Sequence, residues 1–305
     1  MQYLLLFWAI ISGLLFPKAS DIASFNGRTN LLVMGIGGID HTAGDLTDTM
    51  IVASTSIEGK SVTLISLPRD LWMPDIRAKI NSAYHYGGVE MAKAETQKAT
   101  GVPIHFTVLI DFSGFVDIVD AIGGIEVNVE RSFTDELYPI SGRENDTCGG
   151  DKTFKCRYEI ITFNAGSQIM DGERALKFIR SRHSSGDEGT DTAREARTQK
   201  VLDAIKTRIL SPQTLLDPFK DVAIINVARG SIKTDIDAKS LSILARSVFR
   251  GRNSIKNELI PGDLLINPPI SATYDNQYVF IPKEGNGKWS EINSWVSSIL
   301  SGPTY

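Results

Sequence analysis

Two stretches of this chain carry residues whose types and spacing could do chemistry. The first runs over residues 30–70, where Asp40, Asp45 and Asp48 follow a glycine-rich turn and Arg69-Asp70 closes the segment. Apolar and β-branched runs at 31–34, 50–53 and 61–67 read as strands around that turn. Gly35, Gly37 and Gly38 permit sharp bends and close approach of a ligand. The spacing therefore gathers carboxylates and an arginine at the ends of adjacent strands, where open α/β sheets bind ligands. The second stretch spans residues 171–199. Asp171 can cap a helix that carries Ala175, Leu176 and Ile179, and Arg180-Ser181-Arg182 follows. Two arginines at i and i+2 point apart on a helix but the same way in an extended segment. After a polar loop, Asp191 can cap a second helix, on which Arg194 and Arg197 lie one turn apart and share a face.

Between residues 173 and 208 there are nine Lys or Arg against six Asp or Glu, an excess of positive charge available to an anion. Surface salt bridges account for Lys206 and Arg208. Arg180, Arg182, Arg194 and Arg197 fit a multi-anionic ligand better, because guanidinium grips phosphate bidentately and stays charged. Carboxylates that can hold a hard cation and arginines that cover the remaining charge together suit a metal-bridged polyphosphate. Walker and kinase signatures are absent, as is a Gly-x-Ser-x-Gly elbow, so neither a nucleoside triphosphate nor a serine esterase is indicated. His41, His85, His105 and His183 are scattered, which disfavours a histidine metal site. A net charge of −4 argues against a surface dominated by nucleic-acid binding.

The elements that must position these groups alternate. Helices are expected at 89–99 and 112–122, the second stopped by Gly123-Gly124, with strands at 104–110 and 125–129. This rhythm predicts an α/β layered fold with a central mixed sheet flanked by helices. Further helices are expected at 215–227, 241–248 and 289–300, and a strand at 278–281. Residues 1–20 contain an apolar run, 3–16, shorter than a usual spanning helix, which reads as a signal segment or membrane anchor. Residues 21–29 read as a linker and 30–305 as one catalytic domain. Cys148 and Cys156 flank a polar loop; outside the cytoplasm they would form a disulfide, inside it two free thiols.

The segments NLLVMGIGG, LTDTMIVAS, VTLISLPRD, KINSAYHYGG, DFSGFVDIVDAIGGIEVNV, MDGERALKFIRSR and DTAREARTQKVLDAI occur in this order over residues 30–209. In them the chain resembles the LytR-CpsA-Psr family of bacterial cell-wall enzymes, with residues 210–305 completing the domain. The resemblance implies an extracytoplasmic domain held at the cell membrane by its N-terminus. It implies transfer of a glycopolymer phosphate from a polyprenyl-pyrophosphate carrier to peptidoglycan, with Mg²⁺ or Mn²⁺ as cofactor and no nucleic-acid partner. Asp48 matches the family's metal-binding aspartate and Arg69 its pyrophosphate-binding arginine. Arg180, Arg182, Arg194 and Arg197 match its phosphate-contacting arginines, and Gln199 the second glutamine of its Arg-Gln-Gln motif, with Thr198 in place of the first. By the same resemblance the second metal carboxylate is Asp40, with Asp45 as competitor; the loop around Asp40 departs from the family's in being shorter and lacking its arginine. The base is Asp70 or a metal-side carboxylate. The helices at 89–99 and 112–122 are candidates for the walls of a lipid channel. Two other activities share these residues: a non-catalytic carrier-lipid or cell-wall binding protein, and a polyprenyl-pyrophosphate pyrophosphatase. A transcription regulator fits poorly, since no DNA-binding motif is present.

Overall fold

Strand alternation in the first third of the chain sets the frame. The computed structural model describes residues 21–38, 44–184, 186–209, 211 and 230–301. Strands β1 (Arg28–Ile36), β2 (Thr47–Ser56) and β3 (Val62–Leu67) form an antiparallel meander. Leu32 lies opposite Val52, and Val52 opposite Ile65, so three wholly buried side chains line up across one face. Along the chain follow α1 (Ala83–Thr100), β4 (Phe106–Asp111), α2 (Phe112–Ala121), β5 (Ile125–Val129), β6 (Phe133–Pro139), β7 (Tyr158–Phe163) and β8 (Gly166–Met170). Then come α3 (Gly172–Arg180), α4 (Asp191–Ile209), β9 (Ile232–Thr234), α5 (Ala238–Gly251), β10 (Ile255–Leu259) and α6 (Ser290–Ser301).

The main sheet has the order β9-β4-β1-β2-β3-β10, with β10 parallel to β3. It is the mixed sheet of an α/β layered fold. Leu32 and Ile65 pack with Ala92 and Ala99 of α1 and with Ile292 and Val296 of α6. Leu31 points the other way and packs with Ile243 and Leu244 of α5. Helices therefore cover both faces. Ile22 also packs against α5, and β1 begins at Arg28, within the stretch read above as a linker.

The described residues gather into two compact units. Those of Met1–Ile36, Asp45–Leu109 and Lys233–Tyr305 make the first, and those of Gly37–Gly44 and Ile110–Ile232 the second. In the second unit β5 pairs with β8 and β6 with β7, both antiparallel. Their apolar faces, with α2, α3 and α4, enclose a core that includes Phe133, Phe163 and Phe178. The connection from β6 to β7 carries a disulfide between Cys148 and Cys156, with Cα atoms 5.6 Å apart.

Several expected elements extend beyond their predicted bounds. Helix α1 starts six residues before the expected 89, and Gly87 and Gly88 kink it with non-helical angles. Apolar periodicity could not show that first turn, because it precedes the glycines. The strand expected at 278–281 shrinks to a short pairing of Ile281–Pro282 with Leu265–Ile266. The apolar segment at 3–16 and the helix expected at 215–227 lie outside the described residues. Among the described residues no helix is long and apolar enough to cross a membrane.

Gly172 shows how tightly α3 sits on α2. A Cβ there would meet the backbone of Val116, with the carbonyl oxygen 2.4 Å away. In an exposed helix Gly→Ala gains about 0.5–1 kcal/mol. Here overpacking against fixed backbone reverses the sign, and Gly172→Ala should cost about 1–3 kcal/mol in urea denaturation. A stabilised variant would contradict this packing.

Candidate active site

In the first unit the end of β3 delivers Arg69 and Asp70, and the neighbouring β2 delivers Asp48. Arg69 Nη1 donates to Asp48 Oδ1 at 2.8 Å, and Lys79 Nζ donates to Asp70 Oδ1 at 2.6 Å. Arg69 Nε lies 3.7 Å from Asp70 Oδ2, too far for a hydrogen bond, and is buried without a partner. A buried guanidinium N–H left unpaired is costly, and an anion reaching it would satisfy it. Asp48 stays 44% exposed and offers a hard carboxylate oxygen of the kind Mg²⁺ or Mn²⁺ takes. Asp45 is engaged by His85 Nδ1 at 2.7 Å, and the hydrogen bond from that imidazole lowers its pKa. Asp40 lies outside the described residues. The structure thus brings Asp48, Arg69 and Asp70 together and adds Lys79. That lysine belongs to the KINSAY segment, whose extended backbone before Ile80 could have marked it as a strand-end cation.

The second unit positions its arginines through three helix ends. Asp111 caps α2, accepting from Gly114 N at 2.7 Å, and Asp171 caps α3, accepting from Arg174 N at 2.8 Å. Gly123 and Gly124, both at positive φ, end α2 as expected. At the start of α4 the cap is Thr190, whose hydroxyl accepts from Ala193 N at 3.1 Å, and Asp191 is the first helical residue.

Arg180 is the last residue of α3, where its charge meets the negative end of the helix dipole. Its guanidinium lies 4.2 Å over the Phe112 ring and donates to Tyr138 Oη at 3.4 Å. It lines a cavity of about 480 Å³ in this unit, together with Asp111, Phe112, Tyr138, Glu159 and Lys177. Burial pushes the Tyr138 phenol up to about 12, with Arg180 opposing it, so the hydroxyl stays protonated and can donate into the cavity.

After Arg180 the chain turns extended. Ser181 has ψ 132° and is wholly buried. Asp135, also 0% exposed, accepts at Oδ2 from Ser181 Oγ at 2.7 Å, Arg182 N at 2.9 Å and His183 N at 3.1 Å. The register of β6 against β7 is regular through Asp135 and shifts only between Asp135 and Tyr138, so strand alternation puts this carboxylate on the buried face with Phe133. Arg197, on α4, is 3% exposed. Its Nε donates to Phe178 O at 2.9 Å, Nη1 to Glu188 O and Oε2, and Nη2 to Ser181 O at 2.7 Å. The guanidinium also lies 5.0 Å from the Phe133 ring centroid. Arg194 and Gln199 sit half-buried on the same helix. Arg197 therefore does not share Arg194's exposure, although the spacing put both on one face.

Asp135 and Glu188 were not singled out by sequence. Asp135 lies 46 positions before Ser181, and no local pattern links the two. Among the described residues, the ligand atoms that converge as for a metal are those of Asp146, Cys148 and Cys156, and the two sulfurs there are bonded to each other.

A carboxylate and an arginine at the ends of adjacent antiparallel strands in one unit, and an arginine at a helix end in the other, mark a class of α/β protein suited to holding polyanions. The chain belongs to the LytR_cpsA_psr family, whose profile it matches over residues 17–291. It is 28% identical over 252 residues to the polyisoprenyl-teichoic acid–peptidoglycan teichoic acid transferase TagU of Enterococcus faecalis, covering 79% of this chain and 73% of that protein. It is 29% identical over 262 residues to the probable cell wall biosynthesis protein LcpB of Corynebacterium glutamicum, covering 80% of this chain and 56% of that one. The fold is also that of TagV from B. subtilis, with TM-score 0.64 at 24% identity, over 92% of this chain and 100% of that one.

Burial opposes the Asp135 charge, but hydrogen bonds from Ser181, His183, Leu137 and Arg182 outweigh it and lower its pKa. A lowered folded-state pKa contributes stability above the unfolded value near 3.9, and that contribution is lost as pH falls through the folded value. Asp135→Asn should therefore be less stable than the parent at pH 7, with the difference shrinking below about pH 4. Melting curves from pH 7 to 3 test this, and a gap that does not change with pH would contradict it.

Proposed function

We propose that this protein transfers a phosphate-linked glycopolymer from a polyprenyl-pyrophosphate carrier to peptidoglycan, on the outer side of the membrane that its N-terminal segment reaches. The observation that carries the reading is the buried Nε of Arg69, which has no hydrogen-bond partner, beside Asp48, Asp70 and Lys79. Relatives named as teichoic acid transferases support the reaction class.

In this reading a hydroxyl of the acceptor glycan attacks the sugar-side phosphorus. The bond from that phosphorus to the bridging oxygen breaks, and polyprenyl phosphate leaves. Asp70, or a carboxylate on the metal side, takes the hydroxyl proton. Arg69 and Lys79 face the charge that grows on the phosphate oxygens, and fixed donors aimed at developing charge are worth most where water is excluded. By the family resemblance Arg180 and Arg182 of the second unit contact phosphate, with the planar fork that lysine lacks. Mg²⁺ or Mn²⁺, held by Asp48 and by resemblance Asp40, would neutralise the pyrophosphate when bound.

Asp48→Ala should abolish metal-dependent turnover while leaving the melting temperature within a degree or two. Arg69→Ala should weaken binding of a short-chain polyprenyl pyrophosphate by about 1.5–3 kcal/mol, and Arg69→Lys should not restore it. Full Mg²⁺-dependent activity in Asp48→Ala would remove the enzyme reading. Parent-like binding in both Arg69 variants would remove the anion site.

A further inference from the structure

The arginines of the second unit are not equivalent, and the difference assigns a role that a phosphate clamp alone does not contain. We propose that Arg197 and Asp135 are positioning residues. They act through the Arg180-Ser181-Arg182 segment and do not touch the substrate. The inference rests on the proposed function only for the identity of the anion.

Each polar atom of Ser181 is engaged. Its N–H donates to Lys177 O at 3.1 Å and its carbonyl accepts from Arg197 Nη2 at 2.7 Å. Its hydroxyl donates to Asp135 Oδ2, the oxygen that also takes the next two backbone N–H groups. Arg197 ties the same peptide to Phe178 O, one helical turn earlier, and to Glu188 in the loop before α4. Arg180 and Arg182 leave the chain on either side of this peptide. Their guanidinium tips lie several bonds from the backbone, so a small rotation at Ser181 moves both tips by more than bidentate phosphate geometry tolerates.

Burying a guanidinium is costly unless hydrogen bonds surround it, and here all three nitrogens donate to protein acceptors. A phosphate reaching Arg197 would strip those acceptors and leave buried carbonyls unpaired. Lysine could not replace it, because one ammonium cannot reach Phe178 O, Ser181 O and Glu188 in their separate directions.

The test uses the full chain, with a short-chain polyprenyl pyrophosphate as probe and amide hydrogen exchange on the ligand-free protein. Arg197→Lys, Asp135→Asn and the milder Ser181→Ala are made alone and on an Arg180→Ala/Arg182→Ala background. Alone, Arg197→Lys and Asp135→Asn should each weaken binding about tenfold, and Ser181→Ala a few-fold. On the double-arginine background each should change binding less than twofold, because the groups they position are gone. In all three variants the amides of Arg182 and His183 should exchange faster while those of β1 to β3 keep their protection. An Arg197 effect equally large on both backgrounds would mean direct contact and overturn the proposal. Unchanged exchange at Arg182 and His183 in Asp135→Asn and Ser181→Ala would overturn it too, and those two variants decide the matter if Arg197→Lys does not fold. A parent that fails to bind the pyrophosphate would overturn the proposed function and leave the exchange results to judge the positioning.

Discussion

Much of the second unit depends on one peptide, the extended turn at Ser181, and on the opposite charges that fix it. Asp135 holds its hydroxyl and the two following N–H groups, and Arg197 holds its carbonyl. Each charge is buried, and each would be a liability alone, since an ion moved out of water costs several kcal/mol unless its bonding capacity is filled. The surrounding elements fill it. Strand alternation in β6 puts the carboxylate on the buried face beside Phe133, α3 ends where its last carbonyls can be used, and the loop before α4 brings Glu188 to the guanidinium. The Phe133, Phe163 and Phe178 rings, with centroids 5.1 to 5.9 Å apart, wall the arrangement off from water.

The first unit solves a related problem differently. Its charges sit at strand ends near the surface, paired across β2 and β3 and the start of the next segment, and they leave one arginine N–H unanswered. Burying all of Arg69's donors against protein would stiffen the array but leave nothing for a ligand. Saturated polar groups in one array and an unsaturated one in the other mark the difference between holding a backbone and holding an anion.

Local signals carried a good part of this into the sequence. The cap at Asp171 and the glycine stop at Gly123-Gly124 follow from side-chain chemistry within one turn, and the strands of the meander from their apolar, β-branched runs. Asp48, Arg69 and Asp70 were legible because adjacent strands of a meander must end near one another. What escaped is non-local. Asp135 acts on residues 46 to 48 positions away; strand alternation puts it on the inner face but cannot name those partners. Arg197 reads with Arg194 as a phosphate-contacting arginine because helical spacing puts both on one face, and the tertiary packing that buries it has no local signal. Thr190 took the cap expected of Asp191, a one-residue shift of the size that helix boundaries commonly show.

The central claim is the transfer of a sugar-linked phosphate, and its most direct measurement follows the two phosphates separately. A polyprenyl-pyrophosphoryl sugar carries label either on the sugar-side or on the lipid-side phosphorus and is incubated with the full chain, Mg²⁺ and peptidoglycan. The sugar-side label should become covalently bound to peptidoglycan, and the lipid-side label should be recovered as polyprenyl monophosphate. Release of the sugar-side label as a soluble sugar phosphate would make the protein a pyrophosphatase. Retention of both labels on the intact lipid would make it a binding protein, and either result would contradict the account.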